Sequence, residues 1–254
     1  MSDTLNSYLG LHAARYDLIH AAKPYAAEAA FVARQAGHGG GRLLDVACGT
    51  GRHAREFARL GFDVTGIDYN EELLAVGRAR TDGIAFARGD MRALATPDEP
   101  YDVVTCLFDS IGYPLTDEGI VSALRSLAGQ LAPDGTLVFE FLHTPAMLAG
   151  AASTRVRRWP TPDGGELLRT SETVLDPVAG TMTVSYELIE FGADGASVAR
   201  GGERQSNRFF TLAEMGLLLR VAGVRLDRFV PAYEDGEVSG ETWHVIAVAR
   251  AGAP

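Results

Sequence analysis

Apolar positions recur at helical spacing along the first part of the chain. Tyr8, Leu9, Leu11, Tyr16, Leu18 and Ile19 form a broken apolar stripe, continued by Tyr25, Ala29, Phe31 and Val32. Residues 3–36 therefore read as helical. Pro24 opens a second helix, because proline's missing N–H does least harm in a first turn. Four glycines around His38 then break the pattern. From Arg42 onward, short apolar runs (43–47, 62–67, 84–87, 103–107, 136–141) alternate with helical segments (52–60, 71–80, 120–131). This alternation predicts βαβ units, a parallel sheet and right-handed crossovers, an α/β fold.

Residues 153–210 follow another rule. Thr181, Thr183, Ser185 and Glu187 alternate with Met182, Val184, Tyr186 and Leu188, the period of a strand with one wet and one buried face. Turn signals at 162–165, 176–180 and 193–195 separate strand-like runs. The stretch reads as an antiparallel insertion packed on the main sheet. The α/β pattern then returns. Thr211 and Glu214 form a capping box with Phe210 and Met215 as its hydrophobic staple, and Gly223 caps the helix end. Two closing strands follow, at 224–230 and 243–248. The expected organisation is an N-terminal helical cap (1–36), a core (37–152 and 211–254) and the insertion (153–210).

Composition narrows the function. The 254 residues are 46% hydrophobic and 22% charged, with a net charge of −10. That is a globular balance, and the acidic excess disfavours nucleic acid or an anionic membrane as partner. No apolar run approaches the ~20 residues of a bilayer span. The opening Met1-Ser2-Asp3-Thr4 lacks the features of a signal peptide. The two cysteines, Cys48 and Cys106, are too few for a disulfide framework. A reducing cytoplasm is the expectation. The six histidines show no metal-ligand spacing, so no metal is expected.

The most informative stretch is Asp45-Val46-Ala47-Cys48-Gly49-Thr50-Gly51, where a strand enters a glycine turn and then a helix. Such a turn offers close backbone approach and free N–H groups to an anion. Gly49-x-Gly51-x-x-Ala54 also satisfies the dinucleotide fingerprint, with Asp68 placed 19 residues beyond Gly49 as a ribose acid. Asp45 separates two cofactor classes. Its carboxylate would repel a pyrophosphate, whereas S-adenosylmethionine brings an ammonium and a sulfonium that tolerate a nearby acid. S-adenosylmethionine is therefore preferred over NAD.

These residues resemble motif I of the class I S-adenosylmethionine-dependent methyltransferases, with Ala47 where many members have a first glycine. Val64–Asp68 resembles the second strand and its acid, Phe86–Met91 the third, Tyr101–Phe108 motif IV, and Leu131–Leu137 the turn into strand five. A narrower resemblance is to glycine N-methyltransferase and the nucleotide-activated amino-sugar N,N-dimethyltransferases, through Tyr16-Asp17-Leu18-Ile19, Lys23-Pro24-Tyr25 and Glu28, and through the late insertion. The resemblance implies a doubly wound, mostly parallel seven-stranded sheet of Rossmann-like methyltransferase type, with the antiparallel β insertion after strand five.

The resemblance also implies roles. Asp68 takes the ribose hydroxyls. Asp90 takes the adenine amino group, with the Met91 backbone on a ring nitrogen and Tyr69 on the ring face. Leu107 and Phe108 line the methionine arm, and Tyr16 and Tyr25 face its amino-acid end. Asp45, Ala47, Cys48, Gly49 and Gly51 form the turn. The product is S-adenosylhomocysteine. The cysteines read as small packers, not nucleophiles.

Methyl transfer is an in-line displacement that gains mostly from alignment, and it needs a neutral nucleophile. His143, Glu140 and Glu203 are the candidate groups around the acceptor, His143 being favoured as base because its ordinary pKa is near neutral. Arg208 and His244 lie nearby, and Tyr113 is expected to form a wall. Arg155, Arg157 and Arg158 read first as a solvated strand face, with a diphosphate or carboxylate grip as the alternative. Motif IV continues as Phe108-Asp109-Ser110-Ile111-Gly112-Tyr113, not as the Pro-Pro loop of base-flipping enzymes. The expected partner is a small-molecule acceptor, most favourably an amine. An O- or C-methyltransferase, an NAD-dependent dehydrogenase and a catalytically silent cofactor binder remain as alternatives, and a homo-oligomer is compatible with the sequence.

Overall fold

The computed structural model describes residues 7–81, 83–150 and 153–252. Residues 3–6 of the expected first helix lie outside them. The N-terminal segment forms two single turns, α1 (Leu11–Ala14) and α2 (Tyr16–Ile19), and then α3 (Tyr25–Ala36). Pro24 sits at the N-cap of α3, and left-handed Gly37 ends it.

The α/β series follows: β1 (Gly41–Val46), α4 (Arg52–Arg59), β2 (Phe62–Asp68), α5 (Glu71–Arg80), β3 (Ala85–Arg88), β4 (Tyr101–Cys106), α6 (Asp117–Ala128) and β5 (Leu131–His143). A further short helix, α7 (Thr144–Ala149), leads to the insertion strands β6 (Thr154–Pro160), β7 (Glu166–Asp176), β8 (Thr181–Phe191) and β9 (Ser197–Phe210). The chain closes with α8 (Leu212–Ala222), β10 (Val224–Pro231) and β11 (His244–Ala251).

Strands β3, β2, β1, β4 and β5 run parallel in that spatial order, and β11 and β10 extend the sheet antiparallel beyond β5. These are the seven strands expected. Hydrogen bonding continues through Leu142–Phe209 and His143–Phe210 into the antiparallel β9-β8-β7-β6 ribbon, so the sheet counts eleven strands, not seven. The ribbon therefore joins the sheet at the carboxyl end of β5.

Strand alternation divides the core. Leu44, Val46, Val104, Phe139 and Phe141 pack under α6 and α8, while Leu43, Val103, Val138, Ile246 and Val248 pack under α3 and α4. Phe210 and Met215 lie together in the first cluster as the staple requires. Thr211 caps α8 by accepting from the Glu214 amide at 3.1 Å. The second half of the expected box is diverted, because the Glu214 carboxylate binds Arg208 instead. Helix α6 starts three residues before the apolar pattern suggested. Thr116 accepts from the Gly119 amide at 3.1 Å, and Asp117 and Glu118 occupy the first turn, where negative charge suits the helix dipole.

Two contacts fix the insertion against the core. The Asn207 amide donates to the Asp109 carbonyl at 3.1 Å, and Arg208 pairs with Asp117 and Glu214. A side chain at Gly112 would collide with Asn207, so glycine there permits the close approach.

Candidate active site

A cleft lies at the carboxyl ends of β1, β2 and β4. Its floor is the turn after β1. Gly49 and Gly51 both adopt left-handed φ, as does Ala47 at 59°. Gly51 caps α4, and a side chain there would press on the Phe86 ring. Ala47 holds the conformation that favours the glycine expected from the resemblance, at a cost its methyl group imposes.

Asp68 binds the turn directly. One oxygen accepts from the Gly49 amide at 2.7 Å and the other from the Asn70 amide at 2.8 Å. The Tyr69 amide also bonds this carboxylate, and since a carboxylate has about four lone-pair sites, some accepting capacity remains. Burial raises its pKa despite these amides. Asp45 is more exceptional. Its Oδ1 accepts from the Thr105 hydroxyl at 2.8 Å, while Oδ2 is buried without any hydrogen-bond partner. Burial pushes its pKa up to about 6. The Tyr25 hydroxyl is equally buried and unpartnered. Both residues line the cleft. Orphaned atoms of this kind cost about 1–3 kcal/mol each unless a ligand satisfies them. An ammonium beside a carboxylate and a phenol would do so, and the donor set therefore fits the amino-acid end of S-adenosylmethionine.

Of the residues expected to hold the cofactor, Tyr16, Tyr25, Asp45, Ala47, Cys48, Gly49, Asp68, Tyr69, Met91, Leu107 and Phe108 line the cleft. Gly51 and Asp90 do not. Gly51 lies behind the turn as a helix cap. The Asp90 carboxylate pairs with Arg92 at 2.6 Å, which holds its pKa down against its partial burial, while its neighbours Gly89 and Met91 reach the cleft. Arg52 and His53, from the first turn of α4, were not anticipated. The Arg52 guanidinium lies 4.4 Å from the centre of the Tyr25 ring.

The N-terminal segment roofs this cleft. The Thr50 hydroxyl donates to Asp17 at 2.6 Å, and Arg80 pairs with the same carboxylate. Glu203, on β9, accepts from the amides of Tyr8 and Leu9 at 3.1 and 2.9 Å and lies 3.2 Å from His12 Nδ1. Burial alone would raise the pKa of Glu203. The bonds from His12, Leu9 and Gln205 outweigh it and hold the group ionised. Glu203 is thus a fastener between the roof and the insertion, and it does not line the cleft. Tyr8 does line it, hydrogen-bonded to Tyr113, and burial raises both phenols well above their ordinary range.

The remaining candidates separate. Glu140 lies buried behind the wall, where one oxygen accepts from the Phe108 amide at 2.8 Å and from the Tyr233 hydroxyl at 2.6 Å. Burial and neighbouring Asp109 raise its pKa. His244 lies 2.9 Å from Asp109 and 3.4 Å from Glu140. Asp109 above all raises its pKa to about 9, so it stays protonated at neutral pH as the counter-ion of both acids. Asp109, Glu140 and His244 bring potential metal-ligand atoms within 4.8 Å of one another, but the charged imidazole already fills that role. His143 is placed differently from the expectation. It is buried outside the cleft lining, its Nδ1 3.1 Å from the Thr242 carbonyl, and burial lowers its pKa. Strand alternation is the reason. His143 shares the face of Phe139 and Phe141, which α6 and α8 cover, and Glu140 takes the other face.

Comparisons with known proteins agree with this geometry. The family described as "Methyltransferase domain" matches residues 43–135. The chain is 31% identical to a dTDP-3-amino-3,4,6-trideoxy-alpha-D-glucopyranose N,N-dimethyltransferase of Streptomyces venezuelae, over 90% of this chain and 94% of that one. The crystal structure of DesVI from Streptomyces venezuelae superposes with a TM-score of 0.78 at 27% identity, covering 94% of this chain and 99% of that one. An amino pentose methyltransferase of Micromonospora echinaspora, solved with S-adenosylmethionine bound, superposes with a TM-score of 0.70 at 26% identity, covering 96% and 98%. The orphaned acid, the glycine turn and these full-length likenesses converge: the chain belongs to the class I S-adenosylmethionine-dependent methyltransferases and resembles their amino-sugar N,N-dimethyltransferases.

Proposed function

We propose that the protein moves a methyl group from S-adenosylmethionine to the nitrogen of a small polar amine, with an amino sugar as the favoured acceptor. The carrying observation is the unpartnered Asp45 oxygen in the cleft wall, which calls for a cationic ligand. The nearly full-length likeness to an amino-sugar dimethyltransferase supports the acceptor class. When bound, the cofactor supplies an electrophilic methyl group on a sulfonium.

The chain's own residues orient and shield. Asp68 offers its remaining accepting capacity to the ribose hydroxyls. Tyr69 and Met91 border the adenine position, with Asp90 able to turn toward it on leaving Arg92. Asp45 and Tyr25 hold the ammonium, Arg52 meets the carboxylate, and Leu107 and Phe108 keep the methionine arm dry. Tyr8 and Tyr113 stay neutral at working pH. They line the acceptor side and accept no proton, so the amine enters in its neutral form. Its lone pair displaces the sulfur from the methyl group, and the methylated ammonium gives up its proton to water after transfer. Alignment supplies most of the acceleration. Two buried or half-buried free thiols suit a reducing, cytoplasmic setting.

The test is turnover of S-adenosylmethionine against a panel of free and nucleotide-linked amino sugars, amino acids and phenols, read as S-adenosylhomocysteine release. Methylation of a primary or secondary amine is expected. Turnover confined to phenolic or carbon acceptors, or none despite tight S-adenosylhomocysteine binding, would overturn the reading.

A further inference from the structure

We propose that Glu140 and His244 are positioning residues for the cofactor: by locking a left-handed kink at Phe108 and Asp109, they set the Phe108 ring against the methionine arm. The inference rests on the reading of the cleft given above. Strand β4 ends at Cys106. Its alternation puts Val103 and Leu107 in the layer under α3 and α4, and Val104 and Cys106 in the layer under α6 and α8. Continued by one residue, it would turn Phe108 into the second layer, away from Leu107. Leu107 and Phe108 nevertheless both line the cleft.

The backbone accounts for this. Phe108 and Asp109 both have a φ of 58°. An aspartate tolerates the left-handed region, but for a phenylalanine it is a genuine outlier. Such an outlier persists only where its surroundings over-determine it. Several segments do so here. From β5, Glu140 Oε2 accepts from the Phe108 amide at 2.8 Å, a donor beyond the last sheet pair of β4. The Tyr233 hydroxyl, from the turn after β10, donates to the same oxygen at 2.6 Å, and Tyr233 is itself left-handed at 62°. From β11, His244 Nδ1 lies 2.9 Å from the Asp109 carboxylate and 3.4 Å from that of Glu140. From β9, the Asn207 amide holds the Asp109 carbonyl.

The ring is held as well. The Lys23 ammonium, itself paired with Glu28 at 2.7 Å, lies 4.7 Å from the centre of the Phe108 ring, and the His20 ring meets it edge to face at 5.3 Å. Glu140, His244, Asn207, Tyr233 and Lys23 all stay outside the cleft lining, while the residue they hold lies within it. A buried ion pair is weak ground for stability, because desolvation offsets its attraction. What this one supplies is direction, since a relaxed backbone at Phe108 would return the ring to the layer under α6 and α8.

A double-mutant cycle tests this, read as S-adenosylhomocysteine affinity by calorimetry on the full chain, with no acceptor needed. Phe108→Ala and Glu140→Leu should each weaken binding by about tenfold. Glu140→Gln should lose less, because its amide oxygen still accepts from the Phe108 amide. Once Phe108 is alanine, neither Glu140 substitution should weaken binding further. Where Glu140→Leu fails to fold, His244→Gln, at a half-exposed position, runs the same cycle with the same expectation. Unchanged affinity in Phe108→Ala or in the Glu140 and His244 variants overturns the proposal. So does a loss of equal size with and without the Phe108 ring, which is what a merely structural role would give. A cycle that fails while an amine is turned over faults this inference alone. A coupled cycle in a protein that methylates no amine faults the acceptor reading and leaves the positioning role standing.

Discussion

Asp45 carries the sharpest expectation of any single residue. An ordinary aspartate is ionised by pH 5, but burial places this one near 6. It is therefore neutral at pH 5 and charged at pH 7, and a cationic ligand prefers the charged form. Affinity for S-adenosylmethionine should climb as pH rises through 6, by up to about tenfold per unit below the midpoint, and should be flat over that range in Asp45→Asn. Calorimetry from pH 5 to 7.5 measures this. Ala47 is the opposite case, a residue whose own conformation opposes the fold. Relieving its left-handed strain gains roughly 1–2 kcal/mol, and glycine's looser unfolded chain gives back about 0.4–1 kcal/mol. Ala47→Gly should raise the melting temperature by about 1–3 °C, as read by calorimetric unfolding. Both residues were legible because the turn is contiguous in sequence. Tyr8 was not, because the roof brings it to the cleft from a segment remote in sequence from the turn.

At the level of elements, the apolar pattern marks where a helix is buried, not where it begins. Helix α6 shows the difference. Its buried stripe starts at Ile120, but the Thr116 hydroxyl and two acids start the helix earlier. Thr116→Ala should cost about 1 kcal/mol, seen as a lower urea midpoint with an unchanged slope. Strand β8 was readable throughout, since Val184, Leu188 and Glu190 are buried while Ser185 and Glu187 are exposed. The failure at His143 is also one of strands. Its position at the end of β5 was correct, but the face it takes depends on counting alternation back from Phe139 and Phe141, whose partners α6 and α8 are remote in sequence. Glu214 likewise obeys a capping pattern until Arg208, six residues away, claims its carboxylate.

In the whole molecule, one carboxylate joins three parts. Glu203 leaves the insertion to hold the roof by two backbone amides and a histidine, and the roof holds the turn through Asp17 and Thr50. Charged hydrogen bonds of this kind contribute about 1.5–3 kcal/mol each. Glu203→Gln should leave global unfolding nearly unchanged while speeding hydrogen exchange at the Tyr8 and Leu9 amides by about tenfold or more. The seven core strands were legible from alternation alone. Their fusion with the ribbon into eleven was not, because it depends on two residue pairs at the end of β5.

The fastened roof has a kinetic consequence. Tyr8 and Tyr16 form part of the cleft wall, so a cofactor seated between them and the turn leaves only when residues 7–20 swing away from both Glu203 and Thr50. Exchange of spent for fresh cofactor is then slower than exchange of acceptor. The two substrates should add in a fixed sequence, cofactor first, and the methylated amine should depart before S-adenosylhomocysteine. Product inhibition reports this directly: S-adenosylhomocysteine should compete with S-adenosylmethionine and be noncompetitive against the amine. A protein that releases the amine between turnovers without opening its roof can methylate the same nitrogen twice only by letting the acceptor go and taking it back, so monomethyl product should build up early in the reaction before the dimethyl form appears.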